Sequence, residues 1–269
     1  MTQMLLDTVE LDLNRDPRLW PNGLLNSALP APAGWHQGIS VPFASPMAEV
    51  YPMGMLPCPT SPRGTPVPVD VRTFTPFTMT QGSQCSTLGR LDHEAYAELR
   101  LAETLEMNLA SQFAMDLLNT GNPSLKDAMP IGTYAVDHLT TVLAFLETTF
   151  NGMSGGSPCW IHTSVLGGTL LFSEHLMRDG KTVTGAPVII SPGYPIWDGE
   201  GNSPPSGYMY VQFWATGPVW VGMDDPVVVS DINRDNNRET AYADRNAIIA
   251  YSPSPAVKIT VQVPVPTEL

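Results

Sequence analysis

The sequence predicts an α+β fold, and three stretches predict it. Residues 92–118 read as one long amphipathic helix of 27 residues without a Gly or Pro. After it, helical and strand-like segments follow with no regular βαβ rhythm, which argues against a doubly wound sheet. Before it, residues 39–82 are broken by prolines so densely that their strands must be edges, because Pro removes ladder donors.

Residues 1–38 hold Met4-Leu5-Leu6, then Asn14-Arg15-Asp16-Pro17 and a loose Pro/Gly/Ala run to Gly38. Nothing here closes a core, so the stretch reads as an arm lying on something else. Trp20 and Trp35 argue against a purely disordered tail, in which aromatics are depleted. In 39–82 the best strands are Ala48–Met53 and Val67–Phe74, with the turn-rich Pro57–Gly64 between them. Together they read as an extended hairpin, favoured over a proline-rich linker by the alternation of Val67, Val69, Val71 and Thr73. A lone two-stranded hairpin is marginal in water, so it needs a neighbour to lie on.

In the long helix, Ala95, Leu99, Ala102, Leu105, Leu109, Phe113 and Leu117 recur at steps of three and four and line one face. Glu94, Glu98, Arg100, Glu103, Glu106, Asn108 and Gln112 fill much of the other. Asp92 is placed to cap the first amides, and Asn119-Thr120-Gly121-Asn122-Pro123 stops the helix. A second helix is expected over Asp137–Phe150 and a third over Ser164–Met177. Strands are expected at Pro158–Thr163, Ala186–Ser191, Tyr208–Trp214, Pro218–Val221, Asn246–Tyr251 and Val257–Val263. Residues 193–207 read as a mobile loop and 224–238 as a polar one.

Only 14% of the 269 residues are charged, against roughly 25% in an ordinary soluble domain, while the hydrophobic fraction of 43% is unremarkable. Polar uncharged residues, Pro and Gly have replaced the charge. A surface this poor in charge associates, and interface cores lack Lys, Glu and Asp and favour aromatics and Met. Net charge is −13 and there is no Lys/Arg cluster, so gripping a phosphate backbone is not expected, while enclosing nucleic acid stays open. Cys58, Cys85 and Cys159 are odd in number and form no CxxC. With no secretory leader, a reducing cytoplasm is the default compartment. No apolar run approaches the ~18 residues of a membrane span.

The candidate chemistry is thin. Cys159 and His162 lie three apart on a predicted strand and face opposite ways, with no second ligand pair, so a metal site is not expected and His162 reads as a satisfied, half-buried residue. Ser164 follows a strand and opens a helix, but its flanks lack the Gly-x-Ser-x-Gly elbow, and a helix cap explains it better than a nucleophile. Gly167-Gly168 suggests close helix packing. Asp224, Asp225, Asp231, Asp235 and Asp244 lack calcium-loop spacing. No cofactor is expected. In so charge-poor a chain, Arg234, Arg238 and Arg245 read as partners for carboxylates on a neighbouring subunit, with plain solvation as the alternative.

The order of arm, proline-broken hairpin, long helix and α+β body resembles the Hong Kong 97-type major capsid protein of tailed bacteriophages, a fold shared with encapsulin shells. Ser157–Ser164 is similar to that family's strand-to-helix step. Leu176–Lys181 followed by Thr184–Ile189 resembles its helix, Asp-Gly turn and Gly-x-Pro-Val strand, and Gly217–Val221 its closing sheet. The resemblance implies an N-terminal arm (1–38) draped over adjacent subunits, an extended loop (39–85), a spine helix and peripheral domain (86–129), an axial domain (130–207) and closing strands (208–269). It also implies a non-enzymatic shell of hexamers and pentamers around double-stranded DNA, held without sequence-specific binding and without a membrane. Such a chain is assembled in the host cytoplasm and resident in the virion, with separate scaffolding, portal and decoration proteins as further partners. Trp20, Trp35, Arg63, Arg72, Arg234, Arg238 and Arg245 are the candidate intersubunit contacts. An encapsulin-like compartment and a minor or decoration virion protein are the alternatives. Some family members crosslink through a Lys on the extended loop. The lysines here are Lys126, Lys181 and Lys258, none within 39–82, so no such crosslink is expected.

Overall fold

The computed structural model describes residues 20–42, 71–86, 92–199, 203–233, 238–252 and 256–265. The expected strand Ala48–Met53, the turn Pro57–Gly64 and residues 1–19 of the arm lie outside these residues. The described chain opens with a one-turn helix, α1 (Leu24–Ser27), then β1 (Leu29–Pro30), a 3-10 turn at Trp35–Gln37 and β2 (Ile39–Pro42). β3 (Val71–Phe74) pairs antiparallel with β2, Ile39 opposite Phe74. The hairpin strand expected near 67–74 thus has Ile39–Pro42 as its partner. β4 (Phe77–Ser86) leads into α2 (His93–Met115), and β5 (Met129–Ala135) into α3 (Leu139–Ser154). Next come β6 (Trp160–Thr163), α4 (Val165–Ser173) and a small hairpin of β7 (Met177–Arg178) and β8 (Lys181–Thr182). β9 (Val188–Ile190), β10 (Tyr208–Thr216), β11 (Val219–Met223), β12 (Val227–Asn233), β13 (Arg238–Tyr251) and β14 (Val257–Pro264) complete it.

The chain divides into two compact units. The smaller holds 78–105 and 225–245. There β12 and β13 run antiparallel, with Val229 opposite Tyr242 and Ser230 opposite Ala241, and β4 also pairs with β13. The first half of α2 lies on this sheet. Gln81 Nε2 donates to Thr104 Oγ1 at 3.4 Å, Ser83 Oγ and His93 Nδ1 are 3.4 Å apart, and the Ser230 hydroxyl donates to the Glu94 carboxylate. Ala97, Leu101 and Leu105 are buried from the helix, Ala241 and Ala243 from the strand. Small residues on β13 let the helix sit close.

The larger unit holds the described parts of 19–77, 106–224 and 246–269. Its centre is a five-stranded mixed sheet in the order β5-β14-β10-β6-β9. α3 covers one face: Leu139, Val142, Leu143, Leu146 and Phe150 pack on Ile161, Val211, Phe213, Val257, Ile259 and Val261, the inward set of three strands. The alternate residues of the same strands, His162, Gln212, Trp214 and Lys258, point to the opposite face and are buried as well. Burial on both faces explains why these strands read as near-continuous apolar runs. β11 pairs antiparallel with the end of β13 and parallel with β1.

Several expectations need correction. α2 starts as read, with Asp92 Oδ1 accepting from the Ala95 amide at 3.1 Å. It ends three residues early, because Asp116 turns left-handed (φ 47°) and its carboxylate takes the amides of Thr120 and Gly121 at 2.9 Å each. Leu117 is therefore exposed beyond the helix. The buried stripe is Ala97, Leu101, Leu105, Leu109 and Phe113, two residues out of step with the expected one over the first half. Glu106, read as surface, is buried and accepts the Leu24 and Leu25 amides at 2.6 and 3.0 Å. α4 stops at Ser173, four residues short, where His175 adopts φ 56° and the chain turns into β7. The polar loop expected over 224–238 is instead mostly β12 and the start of β13.

Candidate assembly surface

His162 is wholly buried rather than half-buried. Nε2 is 2.8 Å from Thr216 Oγ1, and Nδ1 is 3.0 Å from the Tyr194 hydroxyl. Thr216 Oγ1 donates its one proton to the Gly217 carbonyl at 2.8 Å, so Nε2–H donates to Thr216 and Nδ1 accepts from Tyr194. Phe113 and Tyr194 stand edge-on to the ring. Burial pushes the imidazole pKa down to about 3 and the Tyr194 hydroxyl well above its usual value. The ring is a neutral strut, with both nitrogens used.

Ser164 caps α4, its Oγ accepting from the Gly167 amide at 3.4 Å. Cys159 is buried, and burial followed by the nearby Glu147 charge pushes its thiol up to about 12, so it carries no thiolate near neutral pH. Gly167 and Gly168 make close packing possible. A Cβ on Gly168 would stand 2.6 Å from Ile190 Cδ1, and one on Gly167 would meet the Thr163 hydroxyl. Among the described residues no group of three His, Cys, Asp or Glu is placed to hold a metal ion. Asp224 accepts from His36 Nε2 at 2.6 Å and from Asn246 Nδ2 at 3.1 Å, and these bonds hold its carboxyl below the usual range.

The segment 193–199 is no free loop in its described part. Asp198 receives Lys258 Nζ and Gln212 Nε2 and returns its own amide to Gln212 Oε1 at 2.9 Å. Gly193 lies against α2, its carbonyl accepting from Ser111 Oγ at 2.9 Å.

The proposed contact residues fare differently. Trp20 is 40% exposed. Trp35 is buried, stacked on His36 at 4.0 Å with Gly222 beneath it. Arg72 is half-buried and its guanidinium hydrogen-bonds Tyr251. Arg245 is half-buried with its Nε unsatisfied, beside an equally unsatisfied Asp244 Oδ1. Arg238 opens β13, and Arg63 and Arg234 lie outside the described residues. Sequence reasoning missed the larger apolar exposures. In the smaller unit Val227, Val229 and Tyr242 share the sheet face opposite α2. In the larger unit an apolar groove of about 280 Å³ runs between α4 and the Trp20–Asn22 stretch, with Phe172 70% exposed on its wall. The run Val165–Phe172 is apolar on every side rather than on one face, and that was the signal available in advance.

Solved structures share this fold. The chain is similar to the capsid of a native GTA particle computed with C5 symmetry, at 13% identity over 97% of this chain and 96% of that one, with TM-score 0.60. It is similar to a chain of Mycobacterium phage Ogopogo at 11% identity, 89% and 92% coverage and TM-score 0.57. The capsid of Myoviridae phage XM1 matches at 10% identity, 88% and 91% coverage and TM-score 0.52. No family model and no curated protein matches the chain.

Proposed function

We propose that this chain, which has the Hong Kong 97-type capsid fold, is the major subunit of an icosahedral shell enclosing the double-stranded DNA of a tailed bacteriophage. The observation that carries the reading is the extent of the likeness: it runs over 97% of this chain and 96% of a capsid subunit. The sequence agrees with it physically. A chain with 14% charged residues and exposed Trp20, Phe172, Val229 and Tyr242 has surface to bury against copies of itself. Its net charge of −13 suits a container that holds nucleic acid without adhering to it.

On this reading the work is mechanical rather than catalytic. The side chains that a reaction would use are spent on structure: His162 as a strut, Ser164 as a cap, Cys159 as a buried thiol. Copies associate as hexamers and pentamers, with the axial domain of 130–207 around their centres and the 39–85 stretch reaching a neighbour. Scaffolding, portal and decoration proteins would be separate chains. Assembly takes place in the host cytoplasm, and the product resides in the virion.

Electron microscopy of the expressed, purified chain is the test. Closed polyhedral particles are expected. A protein that stays monomeric at high concentration with no particle under any salt condition would overturn the proposal. The particle contents separate two shells: double-stranded DNA marks a virion, a packaged protein cargo an encapsulin-like compartment.

A further inference from the structure

The larger unit carries an apolar knob as well as an apolar groove. The knob is Leu117-Leu118, just past the end of α2, 62% and 54% exposed. Among the described residues of that unit they are the one pair of adjacent large apolar side chains left open to solvent. They are held there firmly. Asp116 and Asn119 on either side take φ 47° and 51°, left-handed angles that Asp and Asn tolerate best after Gly. The Asp116 carboxylate accepts from the Thr120 and Gly121 amides and from Gln112 Nε2, and the Leu118 amide donates to Gln112 Oε1 at 3.0 Å. Backbone angles of this kind persist only where the surroundings impose them, and here they hold two leucines out in water.

The groove is equally fixed. Trp20, Phe172, Met177 and Ile190 line it. The Ile190 amide donates to the Asn22 carbonyl at 2.7 Å, and the Trp20 carbonyl accepts from the Gly23 amide and from Asn26 Nδ2 at 2.8 Å each. Its volume of about 280 Å³ exceeds the about 150 Å³ of a dry apolar cavity that takes benzene, so two leucine side chains fit. The Asp179-Gly180 turn adjoins it, since a Cβ on Gly180 would stand 2.7 Å from Oδ1 of Asn22, a groove residue. Exposed Arg178 and Lys181 flank that turn and outnumber Asp179. The knob has the opposite sign. It stands at the negative, C-terminal end of α2 beside the Asp116 carboxylate. Burial alone would raise that carboxyl, but the hydrogen bonds from Thr120, Gly121 and Gln112 outweigh it and hold the group below the usual carboxylate range.

We propose that Leu117 and Leu118 of one copy seat in the Trp20–Phe172–Ile190 groove of a second copy, with the negative end of α2 turned toward Arg178 and Lys181. Apolar knob meets apolar groove, and the charges beside them are complementary. Knob and groove are different patches, so the contact is head-to-tail: each copy offers its knob to one neighbour and its groove to another. Such a contact closes into a ring or runs on as a chain, depending on the rotation per step. Both surfaces are shaped before they meet, so docking costs little conformational freedom. The proposal deepens the reading of the chain as a shell subunit: it rests on copies associating and says where they touch.

Cysteine trapping tests it on the full-length chain carrying Cys58→Ser and Cys85→Ser, with the buried Cys159 left in place. Leu118→Cys and Phe172→Cys are made as separate chains, mixed while dilute, then concentrated and treated with a short bismaleimide. Both positions are exposed, so each chain should melt where the unaltered one does. A covalent dimer joining 118 to 172 is expected from the mixture and from neither chain alone. Adding Leu117→Asp to the first chain should cut its yield roughly tenfold, as loss of an anchor residue does. Arg178→Glu/Lys181→Glu on the second should cut it roughly threefold. No dimer from the mixture overturns the proposal, and so does an unaltered chain that stays monomeric at every concentration. Dimer from one chain alone in equal yield also overturns it, in favour of a two-fold contact. Microscopy is a separate readout: particles without the 118–172 link refute the contact alone, and the link without particles refutes only the shell.

Discussion

Lys258 Nζ lies 2.6 Å from Asp198 Oδ2, with both side chains closed off from solvent. The ammonium also donates to the Lys126 carbonyl at 3.1 Å, and Asp198 accepts from Gln212 Nε2 at 2.9 Å. A charge pair taken out of water is sustained only by such additional hydrogen bonds. The pair joins β14, β10, the 3-10 turn at Leu125–Asp127 and the segment after β9 at one point. Replacing Lys258 by Met alone leaves a carboxylate buried without its cation, and should cost about 3–5 kcal/mol in urea unfolding. Lys258→Met with Asp198→Leu should recover much of that. A double variant as unstable as the sum of the singles would show that the two residues are not coupled.

His162 makes the chain acid-sensitive. Its pKa is held near 3 in the fold and returns to about 6.5 when the chain unfolds, so the unfolded state binds the extra proton between those values. Its contribution is complete above pH 6.5 and is lost as pH falls from there toward 3. At 1.36 kcal/mol per unit the full loss is roughly 5 kcal/mol. His162→Gln should flatten the fall of the unfolding midpoint between pH 6.5 and 4. An unaltered slope would place the proton uptake elsewhere.

Gly168→Ala should destabilise the protein even though Ala favours a helix by about 1 kcal/mol over Gly. The new methyl would stand 2.6–2.9 Å from three atoms of Ile190, and overpacking of this kind costs about 1–3 kcal/mol. Ile190→Val in the same chain should relieve part of it. A raised melting temperature for Gly168→Ala would mean that α4 is free to move off β9.

Particles boiled in detergent should run as a single monomer band on a gel. Of the three lysines, Lys258 is buried in its ion pair, and Lys126 and Lys181 lie outside the stretch where the resembling family places its crosslinking lysine. A ladder of covalent oligomers would contradict this.

The long helix, the α3 stripe and the alternating β14 were legible because their periodicity is set by burial on one face. Where burial is set from two directions the signal blurred. The α2 stripe follows Ala97, Leu101 and Leu105, and the small Ala97 is a weak marker beside Leu99. β5 was missed because Pro130 and Gly132 interrupt it, which an edge strand tolerates. β12 reads as loop in the sequence because Asp224, Asp225 and Asp231 surround Val227, Val228 and Val229, and residues 239–245 carry no strand signal of their own. The pairing of Val229 with Tyr242 is a tertiary fact that no local window contains. Among the contact candidates, Trp35 is covered by β11 and Arg72 is turned to Tyr251, choices made by the fold rather than by residue type. Glu106 escaped notice for the same reason: its partners, the Leu24 and Leu25 amides, lie more than eighty residues away.

β13 runs fourteen residues from Arg238 to Tyr251 with no Gly or Pro, and its two halves are paired with different strands. Inside it, Ala241 and Ala243 alternate with the exposed Tyr242, while Ala247 through Tyr251 are enclosed on both sides. Loss of a single residue between Ala243 and Ala247 would shift one half by a step and invert which side chains meet water. Length in this strand is therefore as constrained as the small size of its buried alanines: natural variants should exchange the exposed side chains here, yet keep the count.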